Sequence, residues 1–160
     1  MTNMKMVIVL ACLGAFGCGQ GKLTDDDPTT SVSTDDKLMN EAIAEARQTV
    51  DEFILKMRNP AKDETDFSVK VPITDNNGTE HFWLTELSYG DGVFSGTIGN
   101  DPEIVRNVKS GQSYKARKEE ISDWLYMKGD KMMGNRTLRA LFPHMNPEEV
   151  QAIKAKLKWE

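Results

Sequence analysis

Cysteine and histidine are scarce in this chain, with two of each in 160 residues. That scarcity excludes a Cys-rich zinc site and any disulfide framework. His81 and His144 do not form an HExxH helix, and no CxxC pair occurs. Asp75-Asn76-Asn77-Gly78 lacks the oxygen spacing of a calcium loop. Neither a metal nor a cofactor is expected. No GxxxxGK[ST] loop is present, Gly90-x-Gly92 is not continued by a third glycine, and Ser95 lacks the glycine two residues upstream that a nucleophile elbow needs. Long apolar runs are missing as well, since none reaches the roughly 18 residues of a spanning helix. Positive charge is also in short supply. Twenty Lys+Arg face 25 Asp+Glu, a net charge of −5 that argues against a nucleic-acid binder, whose affinity would rest on excess cations at phosphates.

What is present begins with a leader. Lys5 gives a positive start, and Met6 to Phe16 is an apolar run of 11 residues, the dimensions of a secretory h-region. The run ends in Ala15-Phe16-Gly17-Cys18, which resembles a bacterial lipobox with Ala15 in place of the usual Leu. Residues 1–17 are therefore expected to be a lipoprotein signal peptide, with Cys18 the lipidated first residue of the mature chain. Acyl chains contribute about 0.8 kcal/mol per buried CH₂, and lasting attachment needs more than one. Gly19 rather than Asp after the cysteine favours the outer membrane if the cell is Gram-negative. The expected location is the bacterial envelope, facing the periplasm, with the membrane reached through Cys18.

Residues 18–34 hold Gly, Thr, Ser, Asp and one Pro, with only Leu23 and Val32 apolar. Such a segment buries too little to offset its ordering entropy and reads as a flexible polar tether. Residues 35–160 form one domain. A helix opens at Asp35-Asp36, where carboxylates suit the positive end of the dipole. Leu38, Ala42, Ala46, Val50, Phe53 and Met57 trace one apolar stripe along it, and Asn59-Pro60 stops it. The period then changes to two. Phe67, Val69, Val71 and Ile73 alternate with polar residues, and Pro72 marks an edge or bulge. Asn77-Gly78 and Gly90-Asp91-Gly92 predict tight turns that make strands at 67–74, 80–89 and 93–98 an antiparallel meander. Asp101-Pro102-Glu103 predicts a short helix through Val108, with Asp101 as its cap. Residues 112–127 read as strand, a short helical segment covers 136–142, and Asn146-Pro147-Glu148-Glu149 opens a final helix. The fold class is α+β, a meander of about five strands between an N-terminal amphipathic helix and a C-terminal helix. Strands so bent by Gly, Pro and a bulge suit a small, partly open barrel.

Four groups of residues carry a resemblance. They are Val69-Lys70-Val71-Pro72-Ile73-Thr74-Asp75; Gly78-x-Glu80-His81-Phe82-Trp83-Leu84; Gly96-x-Ile98-x-Asn100-Asp101-Pro102; and Ile121-Ser122-Asp123-Trp124 followed by Gly134 and Thr137-Leu138-Arg139. In this order they resemble the YegJ-like family of bacterial domains of unknown function, over about residues 38–142. The resemblance implies exported or lipid-anchored relatives and no established activity.

Three constellations offer chemistry. His81 with Asp75 or Glu80 near one hairpin has the composition of a carboxylate-oriented general base, which would serve a hydrolase or transferase. Asp101 and Asp123 are candidate polar contacts, as is Arg139. Trp83, Tyr89, Trp124 and Tyr126 are strand aromatics that form either core or, if outward, a binding platform. Charge is uneven too. Residues 21–105 carry 7 basic and 18 acidic side chains, while 106–139 carry 9 basic and 4 acidic. Those halves either pair with each other or leave a positive face for lipid headgroups, an anionic cell-wall polymer or an acidic envelope protein. The leading expectation is a non-enzymatic binding module. The alternatives are a hydrolase or transferase built on His81, and an inhibitor or immunity-type protein.

Overall fold

The computed structural model describes residues 5–9, 29–33 and 36–159. Cys18, the lipobox and most of the tether lie outside the described residues. No helix among the described residues is long and apolar enough to cross a membrane.

The first helix, α1 (Lys37–Arg58), starts at Asp36, whose side chain accepts the Met39 N–H at 2.9 Å. Its buried stripe is Met39, Ala42, Ala46, Val50, Phe53 and Ile54. Met39 replaces the expected Leu38, which is 48 % exposed. Spacings of three and four running back from Phe53 reach position 39, and residue 38 lies about 100° further round the helix.

Nine strands follow or flank it. They are β1 (Lys5–Val9), β2 (Thr29–Ser33), β3 (Glu64–Asp75), β4 (Gly78–Gly90), β5 (Val93–Ile98), β6 (Ser113–Arg117), β7 (Asp123–Lys128), β8 (Lys131–Gly134) and β9 (Lys158–Trp159). Six of them form an antiparallel sheet in the order β6-β5-β4-β3-β7-β8. Along the same sheet β1 lies parallel to β4 at Thr79–His81 and antiparallel to β2, and β9 lies parallel to β8. Among the described residues the sheet does not close into a barrel: β6 pairs there only with β5, and β8 continues to β9. Two bulges bend it, between Thr65 and Ser68 and between Thr85 and Ser88. Each contains a non-glycine residue at positive φ, Asp66 at 57° and Glu86 at 52°.

The two hairpins of the meander turn by different means. Asp91 and Gly92 both have positive φ (51° and 79°), the pair of conformations a type I′ turn requires. At the β3–β4 turn Asn76 and Asn77 keep negative φ, and Asp75 Oδ1 accepts the Asn77 N–H at 2.7 Å. The side chain, rather than a left-handed backbone, closes that hairpin. Pro72 lies two residues beyond Lys70, where the β3–β7 ladder ends, so β3 has lost one neighbour there.

Two of the expected elements change. Residues 101–108 form no helix, because the N–H groups of Glu103, Ile104 and Val105 turn onto the Glu80 carboxylate instead of starting a helical ladder. The stretch 112–127 is not one strand. A single 3-10 turn at Lys118–Glu120, closed by Arg117 N–H donating to Glu120 at 2.7 Å, sends β6 and β7 to different neighbours. The C-terminal helix α3 (Pro147–Lys156) has the expected Asn146/Glu149 capping box but buries no residue completely. Between β8 and α3 runs α2 (Arg136–Leu141), which packs against α1 through Leu141 and Met39.

Register assigns the two faces. Val69, Val71, Phe82, Leu84 and Trp124 share one face and pack under Ala46, Val50, Phe53 and Ile54 of α1. Each such large side chain contributes roughly 1.5–3 kcal/mol on burial. Lys70, Trp83, Asp123 and Leu125 point to the other face. That second face carries the buried polar chemistry.

Candidate functional site

Lys70 stands at the centre of the second face. Its cross-strand partners are Trp83 on β4 and Asp123 on β7, and it is 1 % exposed. The ammonium lies 4.6 Å from the Trp83 ring centroid and donates to Thr137 Oγ1 at 2.8 Å. Thr137 Oγ1 in turn donates to Asp123 Oδ2 at 2.7 Å, joined there by the Thr137 N–H, also at 2.7 Å. Asp123 Oδ1 accepts the Trp124 N–H at 2.9 Å. One hydroxyl thus relays between a buried cation and a buried anion. Burial pushes the Lys70 amine down from 10.5 to about 8, and the Asp123 charge opposes that fall.

His81 belongs to the same face, opposite Pro72. Its Nδ1 lies 2.8 Å from Ser122 Oγ, and Ser122 Oγ donates to the Lys70 carbonyl at 3.2 Å. The hydroxyl hydrogen being used there, the network assigns the imidazole proton to Nδ1. Burial, with the Lys70 and Arg47 charges, holds the ring neutral, down to about 3.

The carboxylates that the sequence placed beside His81 are elsewhere. Glu80 points to the opposite face, wholly buried, and accepts the N–H groups of Glu103, Ile104 and Val105 at 2.9 to 3.3 Å. Asp75 accepts the N–H of Arg106 at 2.6 Å and of Asn77 at 2.7 Å. Those backbone donors, Arg106 first, hold its carboxyl below the usual range. Both acids pin the 101–108 loop across the hairpin. The structure does not bring His81, Asp75 and Glu80 together.

The aromatics are interior. Trp83, Trp124 and Tyr126 are buried, and Tyr89 is half-buried against Phe94 and beneath Arg58. Trp124 donates from Nε1 to the Ala46 carbonyl at 3.1 Å, stacks on Phe53 and lies under Arg136. Among the described residues these rings form no outward platform. Asp101 is exposed, and Arg139 is exposed with its guanidinium on the Gly134 carbonyl at 3.3 Å.

The basic segment does not form one patch. Arg106 sits at the Asp75 end of β3, and Lys128 is the cross-strand partner of Glu64 at the other end, roughly 35 Å away along a strand of that length. Lys118 pairs with Asp51 and Arg136 with Glu45, both on α1, so part of the charge asymmetry is neutralised within the fold. No group of three His, Cys, Asp or Glu side chains among the described residues converges to hold a metal.

Sequence reasoning missed Lys70, Ser122 and Thr137 as chemistry. The available signal was a lysine inside an alternating strand, at a position whose cross-strand neighbours are Trp and Asp. It also missed a concavity of about 340 Å³ beside α1, lined by Arg47, Pro72, Tyr114 and Glu119 among others.

The comparisons agree with the sequence motifs. The model of the family described as "Uncharacterized protein conserved in bacteria (DUF2314)" matches residues 36–159. The chain belongs to the DUF2314 family. It is 42 % identical over 153 residues, 96 % of this chain and 97 % of the relative, to "Uncharacterized protein YegJ" of Escherichia coli (strain K12). It is 31 % identical over 123 residues to the "Putative ankyrin repeat protein NMB1133/NMB1171" of Neisseria meningitidis serogroup B (strain ATCC BAA-335 / MC58), covering 71 % of this chain and 48 % of that protein. No solved structure matches. The DUF2314 match covers the domain from the α1 cap through β9, including both faces of the sheet.

Proposed function

We propose that this DUF2314 chain is a lipid-anchored, non-enzymatic binding domain of the bacterial envelope. The observation that carries the non-enzymatic part is that its buried ionisable groups are already bonded within the chain. Lys70 and Asp123 share Thr137, Glu80 holds three backbone N–H groups, and His81 is bound to Ser122 with no carboxylate beside it. A general base needs reach to a substrate proton, and these groups face packed interior. The anchor part rests on the leader and Cys18. Cleavage before Cys18 removes β1 from β4, leaves β2 in the chain without the strand it pairs with, and keeps β3 through β9 in the domain of residues 36–159.

Expression in the native host followed by membrane fractionation tests the anchor. The wild-type chain is expected in the membrane fraction with an acylated N-terminal cysteine, and Cys18→Ser in the soluble fraction. Membrane retention of Cys18→Ser at the wild-type level refutes the reading.

A further inference from the structure

The cavity beside α1 sets charged side chains around a small apolar strip. Val71 and Ala116 belong to the main core and back the floor, and half-buried Pro72, past the end of the β3–β7 ladder, gives it a rigid apolar ring. Arg47 stands on one wall. Its Nε donates to the Ile121 carbonyl at 2.8 Å, which fixes the guanidinium plane and leaves both Nη groups with no hydrogen-bond partner among the described residues. A guanidinium held that way presents paired donors suited to a carboxylate. Half-buried Tyr114 adds a hydroxyl that burial and the Glu120 charge keep protonated.

The acidic side of the cavity is divided in the same manner. Glu120 is committed, accepting the Arg117 N–H at 2.7 Å and the Arg117 side chain at 2.9 Å and 3.1 Å. Its neighbour Glu119 is exposed and makes no hydrogen bond or ion pair among the described residues. One cation and one anion are therefore available at a single concavity. Its volume of about 340 Å³ lies at the small end for ligand sites.

We propose that this cavity binds a small zwitterion with an apolar body, an α-amino acid or short peptide. Arg47 takes its carboxylate, Glu119 its ammonium, and the half-buried rings of Pro72 and Tyr114 its side chain. The inference rests on the reading as a binding domain and supplies the ligand class for it. Membrane release of Cys18→Ser reports the anchor and ligand titration reports the cavity, so either part can fail alone.

The test is NMR titration of the full-length chain in detergent with Leu-Leu, Leu-Leu amide and N-acetyl-Leu-Leu, reading backbone amides. Leu-Leu is expected to shift Val71, Tyr114 and Ala116 saturably below about 10 mM. Masking the carboxylate as the amide should weaken binding at least about tenfold, one charge-assisted pair's worth. Acetylation should weaken binding to the wild type while leaving Glu119→Gln indifferent to that change. Arg47→Gln should abolish the preference for the free carboxylate. Because Arg47 also holds Ile121, the amide comparison reads the same contact with the protein untouched. Absence of saturable shifts at these residues, or equal binding of peptide and amide, overturns the proposal.

Discussion

Breaking the Lys70–Thr137–Asp123 relay tests the account of the sheet's second face most directly. At neutral pH Asp123→Asn leaves a buried ammonium with no counter-charge, a loss expected to cost about 3–5 kcal/mol. Lys70→Met keeps most of the side-chain volume. It leaves Asp123 still accepting the Thr137 N–H and hydroxyl at 2.7 Å and the Trp124 N–H at 2.9 Å. Its cost should be smaller, about 1–3 kcal/mol. The double variant should cost less than the two added together, by a coupling of about 1–3 kcal/mol. Protonation gives a second reading of the same pair. Lys70 falls from 10.5 to about 8 on folding, and at ~1.36 kcal/mol for each pKa unit that difference is about 3 kcal/mol. Below pH 8 both folded and unfolded chains carry the charged amine, so the burial penalty is fully present. Between pH 8 and 10.5 the unfolded state binds the extra proton, and stability therefore rises with pH. Urea unfolding followed by tryptophan fluorescence, in wild type and Lys70→Met, isolates this contribution as the difference between the two. Wild type should gain about 3 kcal/mol on Lys70→Met from pH 7 to pH 10.5. A difference that stays flat across that range, or single-variant costs that simply add, refutes the relay.

Other perturbations probe the remaining contacts. His81 falls on folding from 6.5 to about 3, so stability is intact above pH 6.5 and drains away as pH falls toward 3; His81→Gln should flatten that acid limb in a pH-dependent melt. Glu80→Gln turns an amide NH₂ toward N–H groups of 103–105 and should cost about 1–3 kcal/mol, with faster amide exchange confined to that loop. Gly134 has φ of 77°, and a Cβ there would sit 2.2 Å from the Trp124 carbonyl oxygen. Gly134→Ala should lose at least about 2 kcal/mol by thermal denaturation, and an unchanged melting temperature would contradict the close packing of β8 on β7.

The elements that depend on local pattern are legible in the sequence. The α1 stripe, the two hairpins and the Asn146 capping box are set by neighbours a few residues apart, and each appears where spacing places it, save that the stripe begins at Met39 instead of Leu38. What spacing hides is where a side chain finds a partner far along the chain. Asp101-Pro102-Glu103 has the composition of a helix start, yet Glu80, more than 20 residues upstream, takes the N–H groups that a helix would need. His81 and Glu80 are adjacent in sequence and face opposite ways on a strand, so their proximity in the chain ensured their separation in space. The relay joins β3, β7 and α2 across 67 residues, a juxtaposition only the register of the sheet creates.

That division bears on what family membership transfers. The motifs that resemble the YegJ-like domains contain Lys70, Glu80, His81, Trp83, Ser122, Asp123, Trp124, Gly134 and Thr137. These are the residues that knit the two faces of the sheet and hold the 101–108 loop. A signature made of such groups specifies a fold, because each buried polar atom needs its particular partner or costs its full desolvation. It does not by itself specify a ligand. Arg47, Tyr114 and Glu119 fall outside those motifs and line the cavity beside α1. Chains that share the signature can therefore share this architecture while differing in what they bind. Substitution at Tyr114 or Glu119, which leaves the Arg47 bond to Ile121 in place, should change ligand preference without disturbing the relay, a separation that melting temperature and titration measured on the same variants resolve.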